Sequence, residues 1–154
     1  MNDNKYYTPK LEEFHVGFEF EYKKFDGTKK TIFELQQINW TKSIVKSIND
    51  LPYIERGLDP ANVRVKYLDR EDLESLGFHF RETNKMSYWY DYKNNIDNLP
   101  GGYKVYSAEL LHDPDRNTIK ITFIVEGEKE VFFEGFIKNK SELKKLLKQL
   151  GINE

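Results

Sequence analysis

The sequence predicts an α+β fold: a predominantly antiparallel sheet with a short capped helix near 69–76 and a C-terminal amphipathic helix near 140–150. Three observations carry this. Apolar residues alternate with polar ones through three segments between Tyr103 and Ile137, separated by turn-forming clusters. Leu143, Leu146, Leu147 and Leu150 then recur at helical spacing behind Asn139. Finally, 11 Phe, 10 Tyr and 2 Trp offset a charged fraction of 32%, so few positions suffice to build a core.

Taken in chain order, residues 1–10 are polar and end at Thr8 and Pro9, which reads as a flexible arm ahead of a single domain over 11–154. Phe14, Val16, Phe18 and Phe20 share one parity and predict a half-buried strand with the phenylalanines inward. Asp26-Gly27 predicts a turn into a second strand over Thr31–Ile38. Trp40, Ile44 and Ile48 fall at helical spacing, and a helix is the reading preferred there over a strand. Pro52, Gly57 and Pro60 mark a loop, and Val63–Leu68 a short strand.

Asp69 then supplies a helix cap, with acids in the first turn, Leu73 and Leu76 facing inward and Gly77 as the stop. Phe78–Arg81 and Met86–Tyr92 predict strands, joined by a turn-rich Asn94–Gly102 segment to the next. A three-stranded meander follows over Tyr103–Leu111, Thr118–Val125 and Glu130–Ile137. Its turns are His112 to Asn117 and Glu126-Gly127-Glu128. Asn139 as cap, Glu142 and the closing Gly151 bound the last helix, whose leucine stripe must dock on the meander. The two helix signatures share a spacing of acceptor, acid and leucine; a duplication would produce it, and so would the capping rules alone.

Three blocks, Tyr6–Glu21, Arg64–Phe78 and Ile137–Ile152, resemble a family of small uncharacterised proteins encoded by gut bacteria and their phages. They cover about a third of the chain. The resemblance implies a phage or mobile-element context and brings no known activity.

Several chemistries are disfavoured. With no cysteine, disulfides, thiolate zinc sites and a cysteine nucleophile are excluded. Neither a Walker phosphate loop, a dinucleotide glycine fingerprint nor a serine nucleophile elbow occurs. His15, His79 and His112 lack the close spacing of metal ligands and read as solvent-facing or turn residues. Glu19, Glu21 and Lys23 on one strand face have the local form of a metal-dependent nuclease site, with Asp113 and Asp115 as further carboxylates. A solvated strand face gives the same pattern, and the nuclease is the least favoured of three functional readings. No cofactor is expected, and catalysis is not.

The leading reading is a non-catalytic binding or interaction protein whose protein partner the sequence does not name; the resemblance implies an accessory factor of a phage or mobile element. Its anchor is the segment Tyr88, Trp89, Tyr90 and Tyr92, near the basic Arg81 and Lys85. Tyrosine and tryptophan bury large area at low entropic cost, although a small aromatic-rich domain also packs such rings inside. The alternative is nucleic-acid or nucleotide binding through Lys138, Lys140, Lys144, Lys145 and Lys148. These five lysines face the single Glu142, giving residues 136–151 a net +4 in a chain whose total is −2. A solvated helix face whose lysines complement the helix dipole is the favoured account of them. No long apolar run or apolar segment near Met1 is present, so a cytoplasmic chain without membrane contact is expected; the oligomeric state is not specified.

Overall fold

A computed structural model describes residues 5–23, 40–52, 54, 62–84, 87–92, 105–125 and 127–152. The fold is α+β, with two antiparallel sheets. Contacts divide the chain into two compact units meeting in sequence at Lys66 and Tyr67, where the sequence suggested one domain over 11–154. Each unit closes its own hydrophobic cluster.

The first unit is a four-stranded sheet ordered β1-β4-β2-β3, from β1 (Tyr6–Tyr7), β2 (Glu19–Lys23), β3 (Trp40–Ile44) and β4 (Val63–Lys66). Tyr6 and Tyr7 pair with Lys66 and Val65, so this part of the expected flexible arm is a strand. Phe14, Phe18, Val45, Val63 and Val65 form the core. The expected strand from Phe14 begins only at Glu19. Before it the chain turns, with Phe18 N–H donating to the His15 carbonyl at 2.9 Å and Gly17 at φ +90°. That turn takes Val16 off the inward parity and leaves it exposed.

Trp40–Ile44 is a strand paired along β2, correcting the helical reading. A spacing of four satisfies both periods, and Thr41, Ile44 and Val45 are β-branched, which favours the pleated state. Ser47 then caps a short 3-10 turn over Ile48–Asp50. The predicted Asp26-Gly27 turn and Thr31–Ile38 strand lie outside the described residues, as do most of the predicted 51–62 loop and the Asn94–Gly102 segment.

The second unit is a five-stranded sheet in sequential order: β5 (Phe78–Asn84), β6 (Ser87–Tyr92), β7 (Val105–Asp113), β8 (Thr118–Val125) and β9 (Glu128–Phe136). The predicted meander is its β7-β8-β9 half. Helix α1 (Arg70–Ser75) starts at Asp69, whose carboxylate accepts from the Asp72 N–H at 3.1 Å, and ends before Gly77 at φ +85°. Helix α2 (Lys140–Gln149) starts at Asn139, whose side chain accepts from the Glu142 N–H at 3.0 Å. Leu73, Leu76, Leu143 and Leu147 join Tyr90, Leu110, Ile121 and Phe123 in one core, so both helices bury their apolar faces on the same side of the sheet. At roughly 25 cal/mol per Å² of apolar area, that docking is what holds a ten-residue helix too short to persist alone.

The turn after β7 follows its predicted chemistry. The Asp113 carboxylate accepts from the Asp115 and Arg116 N–H groups at 3.1 Å each, and Asn117 takes φ +52°. His112 does not belong to that turn. It is the penultimate residue of β7, only 2% exposed, paired with Tyr88 and Ile119 on the core side.

Candidate functional site

Strand alternation sorts the predicted aromatic segment onto two faces. Tyr90 and Tyr92 are buried among the core residues, with Tyr90 ring-packed on Phe80 at 5.7 Å and Tyr92 on Phe78 at 5.1 Å. Burial pushes the Tyr90 phenol up to about 12. These two rings are therefore packing, and a partner cannot reach them. Tyr88, nearer the strand start, remains exposed on that side. Trp89 alone of the four points to the opposite face, directly across from Leu111.

On that second face a charge ladder crosses the sheet. A bulge in β5 between Phe80 and Glu82 releases Arg81 from regular pairing and re-aims its side chain. The Arg81 guanidinium then reaches Asp91 on β6 at 3.0 Å and Glu109 on β7 at 2.9 Å, and lies 5.4 Å over the Trp89 ring. From β9, Lys129 spans back to Glu109 at 2.8 Å. Roofed by the two cations, Glu109 is only 6% exposed although it lies on the face away from the core.

Burial raises the Glu109 carboxyl, but the hydrogen bonds from Lys129 and Arg81 outweigh it and hold it below the ordinary carboxylate value. Arg81 is raised in turn, chiefly by its bond to Glu109. With both oxygens occupied, Glu109 is a fixed anion, poorly suited to give or take a proton near neutrality. What the ladder does is immobilise Arg81 beside Trp89. An indole with a stacked guanidinium, held over an apolar neighbour, is an amphipathic anchor.

The lysines fall along α2. Lys140, Lys144 and Lys148 follow one another at intervals of four, forming a row on one side, and Lys145 is exposed next to them. Lys138 precedes the cap, its backbone N–H donating to Glu142 at 2.7 Å. The structure thus keeps the five in one segment, apart in sequence and in secondary-structure element from Trp89.

In the first unit, Glu21 is occupied. Arg64 donates to it at 2.7 Å, and the guanidinium is sandwiched between the Tyr6 ring at 3.7 Å and the Trp40 ring at 4.1 Å. Glu19, Glu21 and Lys23 do share a strand face, as read from the sequence, but Lys23 lies 5.1 Å over Trp40. Among the described residues, no three His, Asp or Glu side chains come together in a group able to hold a metal ion. His79 is exposed, as expected, and His112 is not.

Sequence reading missed the partners of Glu109 and Arg64. Each cluster joins residues on four strands, and only strand register brings them together. Outward parity does mark Glu109 and Trp89 as being on one side of their strands, but not as neighbours. No protein-family profile, curated protein or solved structure matches this chain. No helix among the described residues is long and apolar enough to cross a membrane.

Proposed function

We propose that this chain is a non-catalytic interaction protein that takes a protein partner on the Trp89 face of its five-stranded sheet. The observation that carries the reading is the half-buried Trp89, stacked by an Arg81 that two carboxylates hold in place. Tryptophan and arginine dominate binding energetics where they are pre-positioned, because little side-chain entropy remains to be lost. The resemblance of three sequence blocks to proteins of gut bacteria and their phages supports an accessory role in a phage or mobile element.

A photo-crosslinking residue placed at Leu111, directly across from Trp89 on the same face, should capture a defined protein in the producing cell, while the same residue at the exposed Glu71 of α1 should not. Trp89→Ala should weaken that capture by roughly tenfold or more with the circular dichroism spectrum unchanged. Adducts no different between positions 111 and 71, or undiminished capture by a folded Trp89→Ala chain, would remove the reading.

A second reading rests on the aligned lysine row of α2, which suits a phosphate backbone. Its signature is oligonucleotide retention that falls steeply with salt and is lost on changing Lys140, Lys144 and Lys148 to Gln. Absence of retention at low ionic strength retires it.

A further inference from the structure

Among the described residues the five-stranded sheet ends in two edges of unlike character. At β5 the exposed side chains are polar, His79, Arg81, Glu82 and Thr83, with an Arg81–Glu82 ion pair at 3.7 Å, and such an edge discourages another strand from adding. At β9, the last strand in the order, nine residues include three exposed apolar side chains: Val131 at 53%, Phe132 at 40% and Phe136 at 75%. No proline interrupts it. Such an edge invites a strand, and its own sequence indicates which one.

We propose that β9 pairs antiparallel with β9 of a second copy of this chain, joining two five-stranded sheets across a two-fold axis. In the register assigned, Lys129 of each copy lies opposite Glu134 of the other, Glu130 opposite Phe133, and Val131 opposite Phe132. Both charge pairs are attractive. A slip of one residue in one direction sets Glu130 against Glu134, and in the other sets Glu128 against Glu134, each twice by symmetry.

The bulge in β9 selects the same register. Thr122 pairs with Val131 and Ile121 with Phe133, so Phe132 is the extra residue and side-chain alternation changes phase there. Lys129 and Glu134, of opposite parity, consequently share the outer face, where Lys129 reaches Glu109 and Glu134 reaches Lys120 at 3.4 Å. Glu130 and Phe133 share the core side, opposite Phe123 and Ile121. Two copies keep every opposed pair outside the bulge on a common side only if their registers are offset by an odd step, as here. The neighbouring registers that preserve the sides leave Lys129 facing Phe132 or Phe136, with no carboxylate. The bulge sits at the two-fold axis, so it interrupts the ladder once, at the same place in both copies.

The test uses the full chain. Sedimentation equilibrium across the micromolar range should give a mass twice the monomer's 18.4 kDa at the upper end. Glu134→Lys, which opposes two lysine pairs, should weaken association by about tenfold or more. The cis pair it removes, Lys120–Glu134, is exposed and of little weight for folding, which circular dichroism on the dilute chain will verify. The absence of cysteine permits a register test. Opposed strand residues lie within disulfide span, so mixed Glu130→Cys and Phe133→Cys chains should cross-link under mild oxidation far better than Glu130→Cys with Glu134→Cys. Trp89→Ala should leave the dimer intact, separating this interface from the Trp89 face. A monomer throughout the range, a dimer indifferent to Glu134→Lys, or preferential cross-linking to position 134 would each overturn the proposal.

Discussion

His112 shows how a single buried side chain ties stability to pH. Its Nε2 is buried without a hydrogen-bond partner among the described residues, and desolvation lowers its pKa from 6.5 to about 4. The carboxylates of Asp113 and Asp69 pull in the other direction and do not prevail. Between those two values the unfolded chain binds a proton that the folded chain refuses, so stability is full above pH 6.5 and falls as the pH drops towards 4. At 1.36 kcal/mol per pKa unit the loss over the whole window is about 3 kcal/mol, of which ~2 kcal/mol falls between pH 7 and pH 5. Denaturant unfolding followed through Trp89, in a Trp40→Phe background, should show that loss. His112→Leu should remove it while keeping an apolar group opposite Tyr88 and Ile119. An unchanged pH dependence in the variant would refute the assignment. Nothing in the sequence separates this histidine from a turn residue: it opens a run rich in Asp, Pro and Asn, and only the length of β7 draws it inward.

Elements were legible where their signals are local. Both helices were readable because a cap, an acid and a stop all lie within one short segment, from Asp69 to Gly77 and from Asn139 to Gly151. In α2 this signal is doubled, since Asn139 accepts from Glu142 N–H while the Glu142 carboxylate accepts from Lys138 N–H. Asn139 is itself buried, so Asn139→Ala leaves a donor unpaired away from water and should cost about 1–2 kcal/mol. Asn139→Ser, which restores an acceptor, should recover most of it. Equal denaturation midpoints for Ala and Ser would mean that the cap contributes nothing. The β7-β8-β9 meander was readable for the same reason, with short turns and alternation broken only at the bulge in β9 and an irregularity at the start of β7. By contrast, Trp40–Ile44 has a spacing that fits two periods, and its pairing with β2 lies across residues 24–39, beyond the reach of any local signal. Of the candidate site, the aromatic segment holding Trp89 was legible and strand parity sets Trp89 apart from its three tyrosines, whereas the clamp on Glu109 required register and a bulge.

At the scale of the molecule, the division into two sheets was hidden because a sequence shows which segments can pair, not which do. Val63–Lys66 and Phe78–Asn84 are separated by one short helix and read alike, yet they enter different sheets. The two hydrophobic clusters have no residue in common: one is centred on Phe18 with Phe14 at 4.8 Å, the other on Leu110, Ile121 and Leu143. A cavity in either should therefore be felt first in its own sheet. Phe18→Ala removes a fully buried ring and should cost about 3–5 kcal/mol in the first unit. Amide exchange should then accelerate by orders of magnitude along β2 and β3 before it does along β7 and β8. Leu143→Ala, worth roughly 2–5 kcal/mol, should reverse that order. If either substitution instead speeds exchange equally in both sheets, the two cores unfold as one cooperative body, and their separation in contacts has no counterpart in energetics.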